Sequence, residues 1–218
     1  MQLSVILPTI RPAQFQRSWA SVGPAIFGQD VLTDWEVIVV STFECPVALP
    51  KTRWLVQDRR GVMAAIKYGY DQAHGEYVFT LNDESELDPG SLFTLWEAAE
   101  QARARGERAI HGPRHDPKFD FSYYGRPFLP FPFAQKSLLD SIGGYFDPAY
   151  QNFYADPDLS LRAIKANVAL RTVKESVVRH ANDMNAIGHR ENVAASLERD
   201  RAVFRYRWDH LGEFRDPS

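Results

Sequence analysis

Residues 77–92 read YVFTLNDESELDPGSL. The apolar run 77–81 has no polar alternation, which suits a strand buried on both faces of a sheet. It ends abruptly in Asn82-Asp83-Glu84-Ser85-Glu86. Pro89 and Gly90 then open a helix that reaches about Arg105 and is closed by Gly106. A buried strand with carboxylates at its tip has two explanations. The tip is a solvated turn whose acids, Glu86 and Asp88 above all, complement the next helix N-terminus, or it is a metal or ligand site.

Other segments repeat the pattern. LSVIL (3–7), WEVIVV (35–40) and WLV (54–56) are continuous apolar runs and are predicted strands. Phe15, Trp19 and Val22 recur at helical spacing after Pro12, and Met63, Ile66, Tyr70 and Ala73 form a second helical stripe with Gly75 as its expected C-cap. The first hundred residues therefore read β-α-β-β-α-β-α, which predicts a mostly parallel α/β sheet with helices on both faces. Ligands of such sheets bind beyond the carboxyl ends of the strands, where Pro8-Thr9, Ser41-Thr42 and Asn82-Asp83-Glu84 lie.

The second half is less regular. The Pro- and aromatic-rich segment 111–133 is expected to be a loop or a small antiparallel excursion, with His111 and His115 in the loop. Residues 136–142 predict a short helix ended by Gly143-Gly144. Residues 156–166 predict a helix with Asp156 at its N-cap and Pro157 in its first turn. A strand is expected within 173–178, and a helix at 194–211 with Leu197, Val203, Phe204 and Trp208 on its apolar side. Phe204 and Trp208 would dock on this domain or on a partner.

The chain has 218 residues, 44% hydrophobic and 24% charged, with a net charge of −3. This is enough apolar material for one sizeable core, and the charge argues against a dedicated nucleic-acid binder. Its single cysteine, Cys45, cannot form an internal disulfide and reads as a passive thiol, which fits a cytoplasmic setting. No signal-peptide pattern and no transmembrane-length apolar run is present. Peripheral membrane association stays open, as does the oligomeric state.

Four pieces in order resemble the inverting family 2 glycosyltransferases, which have the GT-A fold: LSVILPTIRP (3–12), WEVIVVS (35–41), GVMAAIKYGYDQAHGEYVFTLNDE (61–84) and GGYFDPAYQNFYADPDLSLRAIKAN (143–167). The resemblance implies a single domain with a nucleotide-sugar half (1–106), an acceptor half (107–180) and a C-terminal helical extension (181–218). It implies transfer of a sugar from a nucleotide-diphosphate donor, commonly a UDP-sugar, to the hydroxyl of a glycan or glycan-linked acceptor, as in polysaccharide biosynthesis. Pro8, Thr9, Ser41, Arg60, Asn82 and Asp83 take the family's donor-binding positions. Asp83, Glu84 and His180 take its Mn²⁺ or Mg²⁺ positions, and Asp156 takes that of the general base. Asp158 reads as first-turn structure.

Departures accompany the matches. The family's Asp-x-Asp is Asn82-Asp83-Glu84 here, its Asp-Asp after the second strand is Ser41-Thr42, and its later Glu-Asp is Ala155-Asp156. They motivate an alternative reading, a catalytically silent sugar or nucleotide binder. The basic pair Arg59-Arg60 reads as a base or phosphate contact or as solvated charge, and Lys67 as a surface side chain. The aromatic block reads mainly as packing, with Tyr123, Tyr124 and Phe131 as candidate acceptor contacts. A sugar nucleotidyltransferase would want a Gly-rich loop where PTIRPAQ stands, and no G-x-G-x-x-G follows the first strand for a nicotinamide enzyme.

Overall fold

The computed structural model describes residues 1–12, 14–26, 31–45, 48–58, 61–116, 122–123, 126–180 and 190–209. The side chains of residues 122–123, 126–127, 180 and 190–193 are outside this description, as are Arg59, Arg60 and Tyr124 altogether. In chain order the elements are β1 (Leu3–Thr9), α1 (Phe15–Ile26), β2 (Trp35–Ser41), β3 (Thr52–Val56), α2 (Val62–Asp71), β4 (Tyr77–Thr80), β5 (Ser85–Leu87) and α3 (Ser91–Ala104). They continue with β6 (Ala109–Asp116), β7 (Ser122–Tyr123), β8 (Arg126–Pro127), β9 (Phe133–Gln135), α4 (Lys136–Ser141), α5 (Ala155–Lys165), β10 (Ala169–His180) and α6 (Arg190–Trp208).

The main sheet has the order β3-β2-β1-β4-β9-β6-β10-β5. β3, β2, β1 and β4 run parallel, as do β6 and β10, whereas β9 is antiparallel to both its neighbours and β5 is antiparallel to β10. The expected α/β fold, a mostly parallel sheet with helices on both faces, is what the chain forms. Each continuous apolar run is divided by the strand's period of two. Leu3, Val5 and Leu7 belong to the apolar cluster of Phe15 of α1 and Leu92 and Leu95 of α3, while Ile6 belongs to the cluster on the other face, which also holds Met63 and Ile66 of α2 and Phe204 and Trp208 of α6. The C-terminal helix thus docks on its own domain.

Several local expectations change. β1 does not stop at Pro8 but continues through Thr9, with Pro8 opposite Val40 of β2. The C-cap of α2 is Gln72, so Gly75 is not a cap. Its N–H donates to Ser4 Oγ (2.8 Å), and a Cβ there would lie 2.3 Å from Ser4 N, so close approach to β1 is what requires glycine. His111 and His115 are not in a loop but buried on β6, parallel to β10. Burial pushes the His111 imidazole down to about 4, so the ring is neutral at pH 7.

Candidate functional site

Parallel neighbours β2, β1 and β4 end on the same side of the sheet, with Thr9 level with Ser41. β4 ends at Thr80, and a tight turn follows, closed by the Ser85 N–H donating to the Asn82 carbonyl (3.0 Å). The chain then enters β5, whose Ser85 stands opposite His180 at the end of β10. The sequence stops the strand here because Asn82 and Asp83 favour turns over ladders. The backbone of His180 is thereby brought beside the acidic turn; its side chain is not among those described.

Asp83 is only 6% exposed and is held from two sides. Thr9 Oγ1 donates to its Oδ2 (2.7 Å), and the same hydroxyl accepts the Arg11 backbone N–H (3.0 Å). The Arg11 side chain then turns onto the acids. Its Nε donates to Asp83 Oδ2 (3.0 Å), an Nη donates to Asp83 Oδ1, and the other Nη donates to Glu84 Oε2 (3.2 Å). This is the two-point fork of a guanidinium on a carboxylate. The hydrogen bond to Asp83 and the charges of Asp83 and Glu84 outweigh burial and raise the Arg11 pKa above its ordinary value. Arg11 was missed in the sequence because its partners lie 72 and 73 residues away.

This arrangement does not fit a divalent ion as it stands. Both oxygens of Asp83 and one of Glu84 already accept hydrogen bonds from Arg11 or Thr9. An Mn²⁺ or Mg²⁺ ion needs those lone pairs, so ion and guanidinium compete for one place. Among the described residues, no three His, Cys, Asp or Glu side chains are gathered as metal ligands. Ser41 is engaged as well. It is buried, and its hydroxyl donates to the Phe43 carbonyl in its own turn. Pro8 is buried in the strand, Asn82 is half-buried at the tip, and Arg60 lies outside the described residues.

Asp156 occupies the first turn of α5, not its N-cap. The N-cap position is Tyr154, whose left-handed φ of 64° makes the sharp entry into the helix without a side-chain cap. The Asp156 carboxyl is half-buried, and burial pushes it up to about 7, against the lowering effect of its own backbone N–H. Its charge lies close to Tyr145, whose buried phenol it helps keep protonated, although burial is the larger cause. Tyr145 leads back to the strand ends. Its hydroxyl donates to the Pro132 carbonyl (2.6 Å), so Thr80 Oγ1, 2.9 Å away, is left to donate to it. Thr80 is the last residue of β4. Tyr145 is thus fixed at the end of β4, the strand that leads into the Asp83 turn, within electrostatic range of Asp156. A carboxyl titrating near neutrality is suited to accept a proton from a hydroxyl.

Asp158 is fully buried and accepts from Arg162 Nε (2.8 Å), Trp208 Nε1 (3.0 Å) and the Tyr150 hydroxyl (3.1 Å), which makes it a structural anchor. Phe131 is a core residue against His115 and Phe79, not an acceptor contact. Lys67 pairs with Asp71 on the exposed face of α2 (2.6 Å).

No protein-family model matches the sequence, and no curated protein matches it. Among solved structures the chain is similar to S. aureus TarS, with a TM-score of 0.60 and 16% identity over 83% of this chain and 36% of that one. It is similar in the same way to TarS 1-349, with a TM-score of 0.60 and 17% identity over 84% of this chain and 61% of that one. The chain thus spans less than two thirds of the length of either neighbour. At this identity the likeness is one of fold, and the fold is a glycosyltransferase-like GT-A fold.

Proposed function

We propose that the chain transfers a sugar from a nucleotide-diphosphate donor, a UDP-sugar in the first instance, to a hydroxyl of a glycan or glycan-linked acceptor with inversion. Asp156 is the general base. The reading rests on the placement of the Asp156 carboxyl: in the first turn of α5, half-buried, and within electrostatic range of Tyr145, whose hydroxyl is hydrogen-bonded to Thr80 at the end of β4. Burial pushes this carboxyl up to about 7. Support also comes from the ordered sequence resemblance and from the glycosyltransferase-like fold shared with S. aureus TarS.

In this reading the donor lies over the carboxyl ends of β1, β2 and β4, against Pro8, Thr9, Ser41, Asn82 and Asp83, with Arg60 completing the donor set. As the acceptor oxygen attacks the anomeric carbon, Asp156 takes its proton, the bond to the diphosphate breaks, and the diphosphate leaves with the electron pair. Asp83, Glu84 and His180 would hold an Mn²⁺ or Mg²⁺ ion only with Arg11 displaced, and the ion would then offset charge on the leaving diphosphate.

The test is release of nucleoside diphosphate from UDP-, GDP- and dTDP-sugars, and of CMP from CMP-sugars, with glycan acceptors, for the wild type and Asp156→Asn. Loss of turnover by at least a hundredfold in the variant is expected. Full turnover in Asp156→Asn would remove the base. The alternative, a silent binder of sugar or nucleotide, is favoured by the engagement of Asp83 and Glu84 by Arg11. It would win if a nucleotide-sugar bound but was never consumed.

A further inference from the structure

α6 bears a stripe that its composition hides. Ser196, Asp200, Phe204 and Trp208 recur every fourth residue, which places them on one helix face. All four are buried, at 6%, 0%, 0% and 7% exposure, while the expected apolar residue Leu197 is 36% exposed. The stripe meets the chain around Asp156. Ser196 Oγ accepts from Asn152 Nδ2 (3.1 Å), Phe204 meets the Tyr154 ring (5.3 Å), and Trp208 Nε1 donates to Asp158 (3.0 Å). Between them, the Asp200 carboxylate accepts the successive backbone N–H groups of Gln151 (3.0 Å), Asn152 (2.9 Å) and Phe153 (2.9 Å). Arg199 also donates to it (3.1 Å).

We infer that α6 sets the position of Asp156, and that Asp200 is the positioning residue. The inference rests on the reading of Asp156 as the base. A helix that merely covered the sheet would need apolar side chains on this face, whereas burying a carboxylate is costly unless directed donors meet it. Three consecutive N–H groups converging on one carboxylate fix the path of their loop, as such nests do for bound anions. The opposite side of the loop is held by α2. Met63 N–H donates to the Gln151 carbonyl (3.2 Å), and Gly61 lies so close that a Cβ would be 3.1 Å from that oxygen. Clamped on both sides, the loop delivers Tyr154 in its left-handed conformation, a strain that persists only where the surroundings over-determine it. Asp156 follows two residues later. Its environment is therefore set by a residue that does not touch the reacting groups.

The test uses the full chain and needs neither donor nor acceptor. Backbone amide exchange of residues 151–153 and the titration midpoint of the Asp156 carboxyl, read by ¹³C NMR, are measured in the wild type and Asp200→Asn. Tyr77→Phe, which loses a hydrogen bond to Glu100 on α3, serves as a destabilised control. Asp200→Asn is expected to speed exchange at least tenfold and to move the Asp156 midpoint down toward the ordinary aspartate range, while Tyr77→Phe moves neither. Unchanged readouts in Asp200→Asn, or equal changes in both variants, would overturn the inference. If Asp200→Asn does not fold, Ser196→Ala must move both readouts in the same direction; no movement there would overturn it too. Full sugar transfer by Asp156→Asn would sink the base reading alone, because these two readouts do not depend on turnover.

Discussion

Replacing Asp156 by Asn should stabilise the chain at alkaline pH, and the pH dependence of that gain is a signature of the site. The folded-state pKa of Asp156 is raised from 3.8 to about 7, with burial as the largest cause. Below pH 3.8 the carboxyl is protonated in both the folded and the unfolded chain and contributes nothing. Between 3.8 and about 7 the unfolded chain gives up this proton while the folded chain keeps it, so unfolding becomes easier as pH rises. Above pH 7 the penalty is constant. Each pKa unit corresponds to about 1.4 kcal/mol, so the full shift corresponds to roughly 4 kcal/mol. Partial exposure of the side chain and loss of a favourable charge in the first helical turn reduce this to about 2–3 kcal/mol. In a chain of this size that is a rise of roughly 4–12 °C in Tm. Thermal unfolding of the wild type and Asp156→Asn from pH 3.5 to 9 measures it. The two melting curves should coincide at pH 3.5 and separate progressively up to pH 7. Equal stability at pH 8, or a variant less stable than the wild type there, would refute the burial argument for Asp156.

Other consequences follow from the same contacts. Arg11→Met removes the guanidinium from Asp83 and Glu84 and leaves Asp83 Oδ2 still bonded to the Thr9 hydroxyl, so Mn²⁺ titrated against it by electron paramagnetic resonance should bind at least tenfold more tightly than to the wild type. Equal affinity would show that ion and guanidinium do not compete. Gly75→Ala drives a Cβ into the backbone of Ser4, at 2.3 Å, and of Tyr77, at 2.6 Å. A loss of about 3 kcal/mol or more is expected in urea unfolding, and a loss under 1 kcal/mol would argue against this strand–loop packing. Tyr145→Phe removes the hydroxyl between Thr80 and Pro132 and should cost about 1–3 kcal/mol by the same measurement, whereas an unchanged midpoint would show the buried hydroxyl to be dispensable.

β1 to β4 were legible because each carries a continuous apolar run, although β1 runs on through Pro8 and β3 begins at Thr52, before its run. β5 and β9, three residues each, carry too little sequence to show a period, and their pairing is imposed by β10 and β4. β6 was misread because its sequence, AIHGPRHD, is polar and contains proline. It is nevertheless central, between β9 and β10, with His111 buried as a neutral ring and His115 buried against Phe131. Asp156 is singled out by the family resemblance alone, and its place inside α5 depends on the left-handed Tyr154, a conformation that sequence does not announce. Arg11 and Asp200 were invisible for a common reason. Each is a charged residue in an ordinary setting whose meaning lies in partners 72 and 49 residues away.

The most direct test of a donor site at the carboxyl ends of β1, β2 and β4 is thermal stabilisation by UDP, GDP, dTDP and CMP, measured with Mn²⁺ and with chelator, in the wild type and Asp83→Asn. A ligand at a hundred times its Kd adds about 2.7 kcal/mol, or roughly 5–11 °C here. Such a shift is expected with one nucleotide, UDP first, as is its loss in folded Asp83→Asn. No shift with any nucleotide, or an equal shift in Asp83→Asn, would contradict a donor site there.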